Sequence, residues 1–492
     1  MTQKTDFSSF KKLQTTGADL TCYSVELAQE RSTRSLTLRR SNRPTIAGVF
    51  GKRGNNPGRT LLFDPSRYPF LNPEVAVQIL QSGNASKIRE FSANILTTAA
   101  ASPKLLTPLA TSRQVCDSLN AAFAADFPEA TIVDLINILA ALFPLADNMK
   151  EAYIDNGIVG TGNVMDYLTC DNPTLACNAI LLIKVLCDAS VYARDSVLTF
   201  GIHTTLMSIA QEAADETVAV DACKSIASVF YSSEPIDSNI LSDAVKPLSD
   251  LLSLPYPAAV CSILNAFVSI TTHLPEVIMD IFDSGIVPSI IAMLENPDLV
   301  SSVLPLIGNL CASHPSHIQQ MFNLDLIQHL TPLTATPHCG DVFFVFSNLV
   351  TNVPNLIMPF FDSSFIDSAI EVAMTEQYDT KKEVVYFLAT YIIHLSTESM
   401  VSLMRSDVVD LIIEMLNCGV TATVLSCLDV IQKFSLAVSL GEADSSLISE
   451  DQWEDLHNAL EQLTDNDRTQ QSIKEKAVFL MEKIESVMGK TD

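Results

Sequence analysis

The chain has 492 residues, of which 48% are hydrophobic and 18% charged. Its mean hydropathy is +0.26 and its formal net charge is -27. That is too long for one ordinary globular core unless the core is built from repeats, and too apolar for a disordered chain. The charge is uneven: residues 1–60 hold 11 Lys and Arg against 4 Asp and Glu, and the rest hold 19 against 53. An acidic body of this size repels phosphate backbones, which argues against nucleic acid as a partner and favours basic peptides or proteins.

The first element is basic. The stretch VELAQERSTRSLTLRRSNR, Val25 to Arg43, carries Arg31, Arg34, Arg39, Arg40 and Arg43 around Leu36, and Lys11 and Lys12 precede it. Charge alone fits a disordered basic tail, a nucleic-acid arm or an arm that pairs with the acidic body. Residues 1–50 read as this arm. Residues 51–74, with NNPGR inside them, read as a linker. The start has no apolar leader, and no stretch of eighteen or more apolar residues is free of charged or polar breaks, so neither a signal peptide nor a membrane-spanning helix is expected. The 11 cysteines form no C-x-x-C pair and sit mostly in apolar runs, as at Cys223, Cys261, Cys311 and Cys427. They read as reduced core thiols of a cytosolic or nuclear protein.

Residues 75–485 repeat. A turn followed by an apolar pair is expected at Gly157, Gly201, Ala244, Gly285, Asp325, Ser364 and Asp407, at intervals of 39 to 44 residues. Apolar runs with helical spacing flank each one. A single helical pair cannot bury its apolar face, but stacked pairs can, and a period in the low forties belongs to the armadillo and HEAT range. The expected fold is all-α: an armadillo-repeat right-handed superhelical solenoid of about eight to ten repeats, closed by a more polar capping repeat around Trp453, with residues 486–492 as a tail.

In such a solenoid the last helix of each repeat lines the groove. Counting back from each turn gives two positions one helical turn apart. In the C-terminal half they are Pro305 and Asn309, Phe344 and Asn348, and Tyr386 and Thr390; in the N-terminal half they are Leu181 and Val185, Lys224 and Ser228, and Asn265 and Ser269. Asn offers a donor and an acceptor to an extended peptide backbone. An aromatic ring one turn away can face a Lys or Arg, and Glu383 can neutralise the charge. The alternative is that Phe344 and Tyr386 are ordinary core residues.

The repeats resemble importin-α, the armadillo adaptor for nuclear-localisation cargo, over almost the whole chain. CGDVFFVFSNLVTNVPNLI is similar to the family's EACWTISNITAGNKEQI, with Phe344 in the place of Trp and Asn348 in the place of Asn; DTKKEVVYFLATYI is similar to DIKKEAAWAISNAT, with Glu383 kept. In the arm, Val25-Glu26-Leu27, Leu36 and Arg39-Arg40 match the register of the family's importin-β-binding segment. The resemblance implies importin-β on the arm, basic cargo peptides in the groove, autoinhibition by Arg39-Arg40 with Lys52-Arg53 as a second candidate, an export receptor for recycling, and shuttling between cytoplasm and nucleus. The chain departs from the family in three ways: the arm lacks the central arginine run, Trp453 is the only tryptophan, and Lys224 stands in the N-terminal groove, where it would repel a basic peptide. Cargo is therefore expected mainly at a C-terminal, minor-type site made of Asn309, Phe344, Ser347, Asn348, Glu383, Tyr386 and Thr390. An armadillo scaffold that has lost cargo carriage is the rival reading.

No catalytic, metal or cofactor motif is found. GIVGTG at residues 157–162 reads as a repeat turn rather than a phosphate cradle, and Cys311, His314 and His317 read as an inter-helix loop rather than a zinc site. Neither an enzyme nor a membrane protein is expected.

Overall fold

A computed structural model of the chain describes residues 68–231 and 234–488. Every regular element among them is a helix. They fall into two compact units, one ending at Asn309 and one beginning at Leu310.

Each repeat consists of one or two short helices followed by a longer third helix. The third helices are Ala85–Ala101, Glu129–Leu142, Pro173–Ala189, Glu216–Phe230, Pro257–His273, Val300–Leu310, Cys339–Asn352, Tyr378–His394, Thr421–Leu440 and Gln471–Met488. Their starts are written in the sequence. The side chains of Asn84, Asn172 and Asp215 each accept hydrogen bonds from first-turn N–H groups, which satisfies donors that a helix otherwise leaves open. The corner before the second helix is left-handed at Gly201, Gly285 and Asp325, with φ of 68°, 76° and 57°. Aspartate is among the few non-glycine residues that tolerate this conformation.

Within each unit, third helices stack on their neighbours in sequence order. The stack is parallel. Ser225 Oγ donates to Ile180 O (2.8 Å), Asn352 Nδ2 to Ser313 O (2.5 Å) and Lys433 Nζ to Ile393 O (2.8 Å), so hydrogen bonds join successive third helices. In the C-terminal unit the space between the stacked helices and Ser363–Thr375 is filled by rings. Phe387 is fully buried and lies 5.2 Å from Phe343 and 5.1 Å from Phe361 by ring centroids. Phe361 stacks on Phe365 at 4.9 Å.

Three sequence expectations need correction. Ala244 is not at a turn, because the helix Ser238–Leu251 runs through it. Ser364 and Asp407 lie in the first turns of helices. An apolar pair after a small or polar residue marks the start of a buried face, and that start coincides with a corner only in some repeats. Thirdly, Thr421–Leu440 is long and apolar enough to cross a membrane by length and composition. Its apolar character has a local cause: it packs against third helices on both sides and against Ser406–Leu416, which bury just over half of it. Its two interior charges are engaged, Asp429 by Lys476 and Lys433 by backbone carbonyls.

The GIVGTG segment is a corner between the helices Lys150–Asp155 and Asn163–Leu168. A Cβ at Gly157 would lie 1.9 Å from Tyr153 O, so the backbones touch where a side chain would stand. At the other end of the chain, Ser449 and Gln452 form a capping box on Glu450–Asp465. Trp453 is buried there and donates from Nε1 to Ser445 O.

Phe387→Ala should destabilise the C-terminal unit by about 3–5 kcal/mol, since no neighbour can fill the space of a ring held by five others. Chemical denaturation of the full chain should show this as a lower midpoint for the ring-dependent transition. An unchanged midpoint would mean that the ring cluster does not hold these helices together.

Candidate peptide-binding face

Phe344, Ser347 and Asn348 lie on Cys339–Asn352, and Glu383, Tyr386 and Thr390 lie on the next third helix, Tyr378–His394. The two helices pack side by side, so these six residues belong to one pair of neighbouring helices. Phe344, Ser347, Asn348, Tyr386 and Thr390 are all buried, and Glu383 is half-buried. The Ser347 hydroxyl donates to Phe343 O (2.6 Å) and the Thr390 hydroxyl to Tyr386 O (2.7 Å). Both donors are therefore spent within their own helices, a common use of helical Ser and Thr.

Asn309 belongs to the N-terminal unit and does a different job from the one expected. Its Nδ2 donates to Thr271 Oγ1 (2.9 Å), Thr272 Oγ1 (3.1 Å) and Val268 O (3.4 Å), and the residue is 2% exposed. The amide closes the C-terminal end of the preceding third helix, Pro257–His273. Its donor is committed to holding two repeats together and is not available to a peptide. Lys433 does the same one unit further on. It occupies the position after Thr390 in the same ladder, and its ammonium reaches Ile392 O, Ile393 O (2.8 Å) and Leu395 O (2.5 Å). A cation at a helix C-terminus interacts favourably with the helix dipole as well as with the open carbonyls. Burial pushes the Lys433 pKa down. The sequence analysis missed Lys433 because it stopped the ladder at Thr390, although the 43-residue step to the next repeat points to it.

In the N-terminal unit, Leu181 is 41% exposed. Lys224 is held 3.2 Å from Asp221 Oδ1 on the same helix, with its side chain 47% exposed. Asn265 is half-buried, and Ser228 and Ser269 are buried. Cys311 is fully buried and burial raises its pKa steeply. His314 caps Pro315–Phe322 by accepting from Ser316 N through Nδ1. Among the described residues no group of three His, Cys, Asp or Glu side chains is placed to hold a metal. The arm residues Lys11, Lys12, Arg31, Arg34, Leu36, Arg39, Arg40 and Arg43 lie outside the described residues.

Stacked three-helix repeats with a period near forty make the protein an all-α armadillo-repeat solenoid. The chain is similar to an engineered protein at 14% identity, with a TM-score of 0.63 over 84% of this chain and 98% of that one. It is also similar, at 13% identity and a TM-score of 0.42, to a designed armadillo repeat protein in complex with the peptide (KR)4, over 46% of this chain and 98% of that one. No family model matches the chain, and no curated protein matches it in sequence.

Two predictions concern these contacts. Asn309→Ala leaves the C-terminal end of Pro257–His273 without its amide donor, and should lower stability by about 1–3 kcal/mol; a thermal midpoint equal to wild type would show that the amide carries no load. The second concerns pH. Burial lowers the pKa of His203, His273 and His394, and at His394 the neighbouring Lys433 adds to the effect. A folded-state pKa below the unfolded value means that the unfolded chain takes up protons first on acidification. The stability these neutral imidazoles carry is thus complete above the ordinary histidine value of about 6.5 and is lost as pH falls below it. His394→Gln should shallow that acid-side loss in a thermal-melt series from pH 7 to 5, and an unaltered slope would contradict the assignment.

Proposed function

We propose that this chain is a non-catalytic transport adaptor. Its armadillo body takes up basic peptide segments of cargo, its N-terminal arm recruits importin-β, and an export receptor returns it, so that it shuttles between cytoplasm and nucleus. The observation that carries the reading is a basic arm with the register Val25-Glu26-Leu27, Leu36, Arg39-Arg40 in front of an acidic armadillo solenoid. Charge supports the basic-cargo half. Between Lys246 and Lys381 there is no Lys or Arg but there are 13 Asp and Glu, so this run of repeats attracts cations with no local competitor. The third-helix pair bearing Asn348, Glu383 and Tyr386 is the proposed peptide seat. Asn309 is left out of it, because its donor is already used.

A second reading, an armadillo scaffold that has given up cargo carriage, is favoured by one observation: the ladder positions Asn309 and Lys433 have been turned to inter-repeat capping. Importin-β binding separates the two. On the adaptor reading, the full chain binds importin-β, and Arg39→Ala with Arg40→Ala weakens binding by about tenfold or more through loss of two charge-assisted contacts. A lysine-rich peptide should bind less well to Asn348→Ala and about equally to Lys224→Ala. No importin-β binding by the wild-type chain would hand the lead to the scaffold reading.

A further inference from the structure

Two aromatic rings stand at an edge of the C-terminal unit where the core does not require them. Phe322 ends the first helix of its repeat, Pro315–Phe322, and Phe360 ends the corresponding stretch one repeat on, Met358–Phe360. Their ring centroids lie 5.7 Å apart at an interplanar angle of 59°. Phe322 is half-buried, but Phe360 is 53% exposed. The next residue, Phe361, is buried and joins the ring cluster around Phe387, so the core is already filled at this point. A ring left half in water adds little to folding, and two together make an apolar patch. Each ring is followed closely by a carboxylate. Asp325 comes three residues after Phe322, in a turn closed by a hydrogen bond from Asp325 N to Phe322 O (3.0 Å). Asp362 comes two residues after Phe360, and both carboxylates are exposed. Asp362 Oδ1 accepts from Phe365 N (2.9 Å) and from Ser364 Oγ (2.8 Å). Those two bonds lower its pKa, so its charge is in place at pH 7. The whole edge falls in the stretch between Lys246 and Lys381 that contains no Lys or Arg. Arg405, just beyond the next first helix, Thr397–Leu403, is engaged by Asp367 (2.9 Å) and Asp407 (3.5 Å).

We propose that the Phe322–Phe360 pair is a docking point for an arginine side chain of a partner protein, with the guanidinium on the exposed ring of Phe360 and its charge met by Asp362 and Asp325. An aromatic face carries negative charge density and attracts a cation laid over it. Arginine suits an exposed ring better than lysine, because its planar head stacks and is more weakly hydrated. The carboxylates decide the sign. An anionic group, such as the phosphate of a nucleic acid, would be repelled by both aspartates, and an uncharged apolar group would leave them without a counter-charge. No cation of the chain's own competes, since Arg405 is already paired. The pair lies at the ends of first helices, whereas the peptide seat proposed above lies on third helices. The two surfaces are separate, and this proposal does not rest on the adaptor reading.

The test is fluorine NMR on the full chain labelled with 4-fluorophenylalanine, the two signals being assigned from Phe322→Leu and Phe360→Leu. The chain is titrated with acetyl-Gly-Arg-Gly-amide and with its citrulline twin, which keeps the planar head but carries no charge. The arginine peptide should shift the Phe322 and Phe360 signals saturably, and the citrulline peptide should shift them at least fivefold less. Phe360→Leu should abolish the response at Phe322. Asp325→Asn combined with Asp362→Asn should cut the response at least threefold. Asparagine caps a helix as well as aspartate does and tolerates the left-handed corner at position 325, so this variant keeps the fold. Unmoved signals from Phe343 and Phe387 would show that it does. Equal shifts with citrulline would reduce the pair to an apolar patch and overturn the proposal. An undiminished response in the folded double variant, or no response to the arginine peptide at all, would overturn it too. Shifts confined to Phe344 would overturn it while leaving the C-terminal peptide seat intact.

Discussion

A helix that ends against its neighbour must dispose of its last carbonyls without water, and in this chain that constraint organises the stack of third helices. At several of these ends the following repeat answers with a side chain. Asn309, Asn352 and Lys433 all reach back to carbonyls or hydroxyls at such an end. The contacts fix the height at which successive helices meet, so the apolar faces between them, including the ring cluster around Phe387, come into register. A buried amide or ammonium in this place is costly if unpaired and well spent if paired. This explains why polar residues persist in an otherwise apolar ladder.

The same constraint bears on binding. A side chain that caps its neighbour is withdrawn from any ligand, and one too short to cap leaves a place for a ligand to do it. Asn309 is of the first kind. The binding capacity of the ladder therefore cannot be judged by residue type alone, because Asn309 is structural. The acidity of the repeats between Lys246 and Lys381 sets the sign of whatever enters.

Much of the fold was legible in the sequence because it rests on a period. The interval near forty, the helical spacing of apolar residues and the polar cap around Trp453 all follow from burying one face per helix. Corner positions were less legible: Ala244, read as a turn like Gly285, sits inside a helix, since the pattern records burial and not backbone direction. Ladder positions were found by counting, and Phe344, Asn348, Tyr386 and Thr390 do fall on neighbouring third helices. The burial of Phe344 and Tyr386 was one of the two readings open from the sequence; that of Asn348 and Thr390 was not foreseeable, and neither was the capping by Asn309, because both depend on what the preceding repeat places opposite. Lys433 was overlooked for a simpler reason: the ladder was counted no further than Thr390, one repeat short of it.

The central claim is that an acidic armadillo body receives basic peptide. The most direct test is fluorescence anisotropy of a labelled lysine-rich peptide with the full chain over a series of salt concentrations. The account predicts saturable binding at low salt that weakens steadily as salt rises, as expected for contacts between opposite charges. Absence of binding at low salt, or an affinity indifferent to salt, would contradict it.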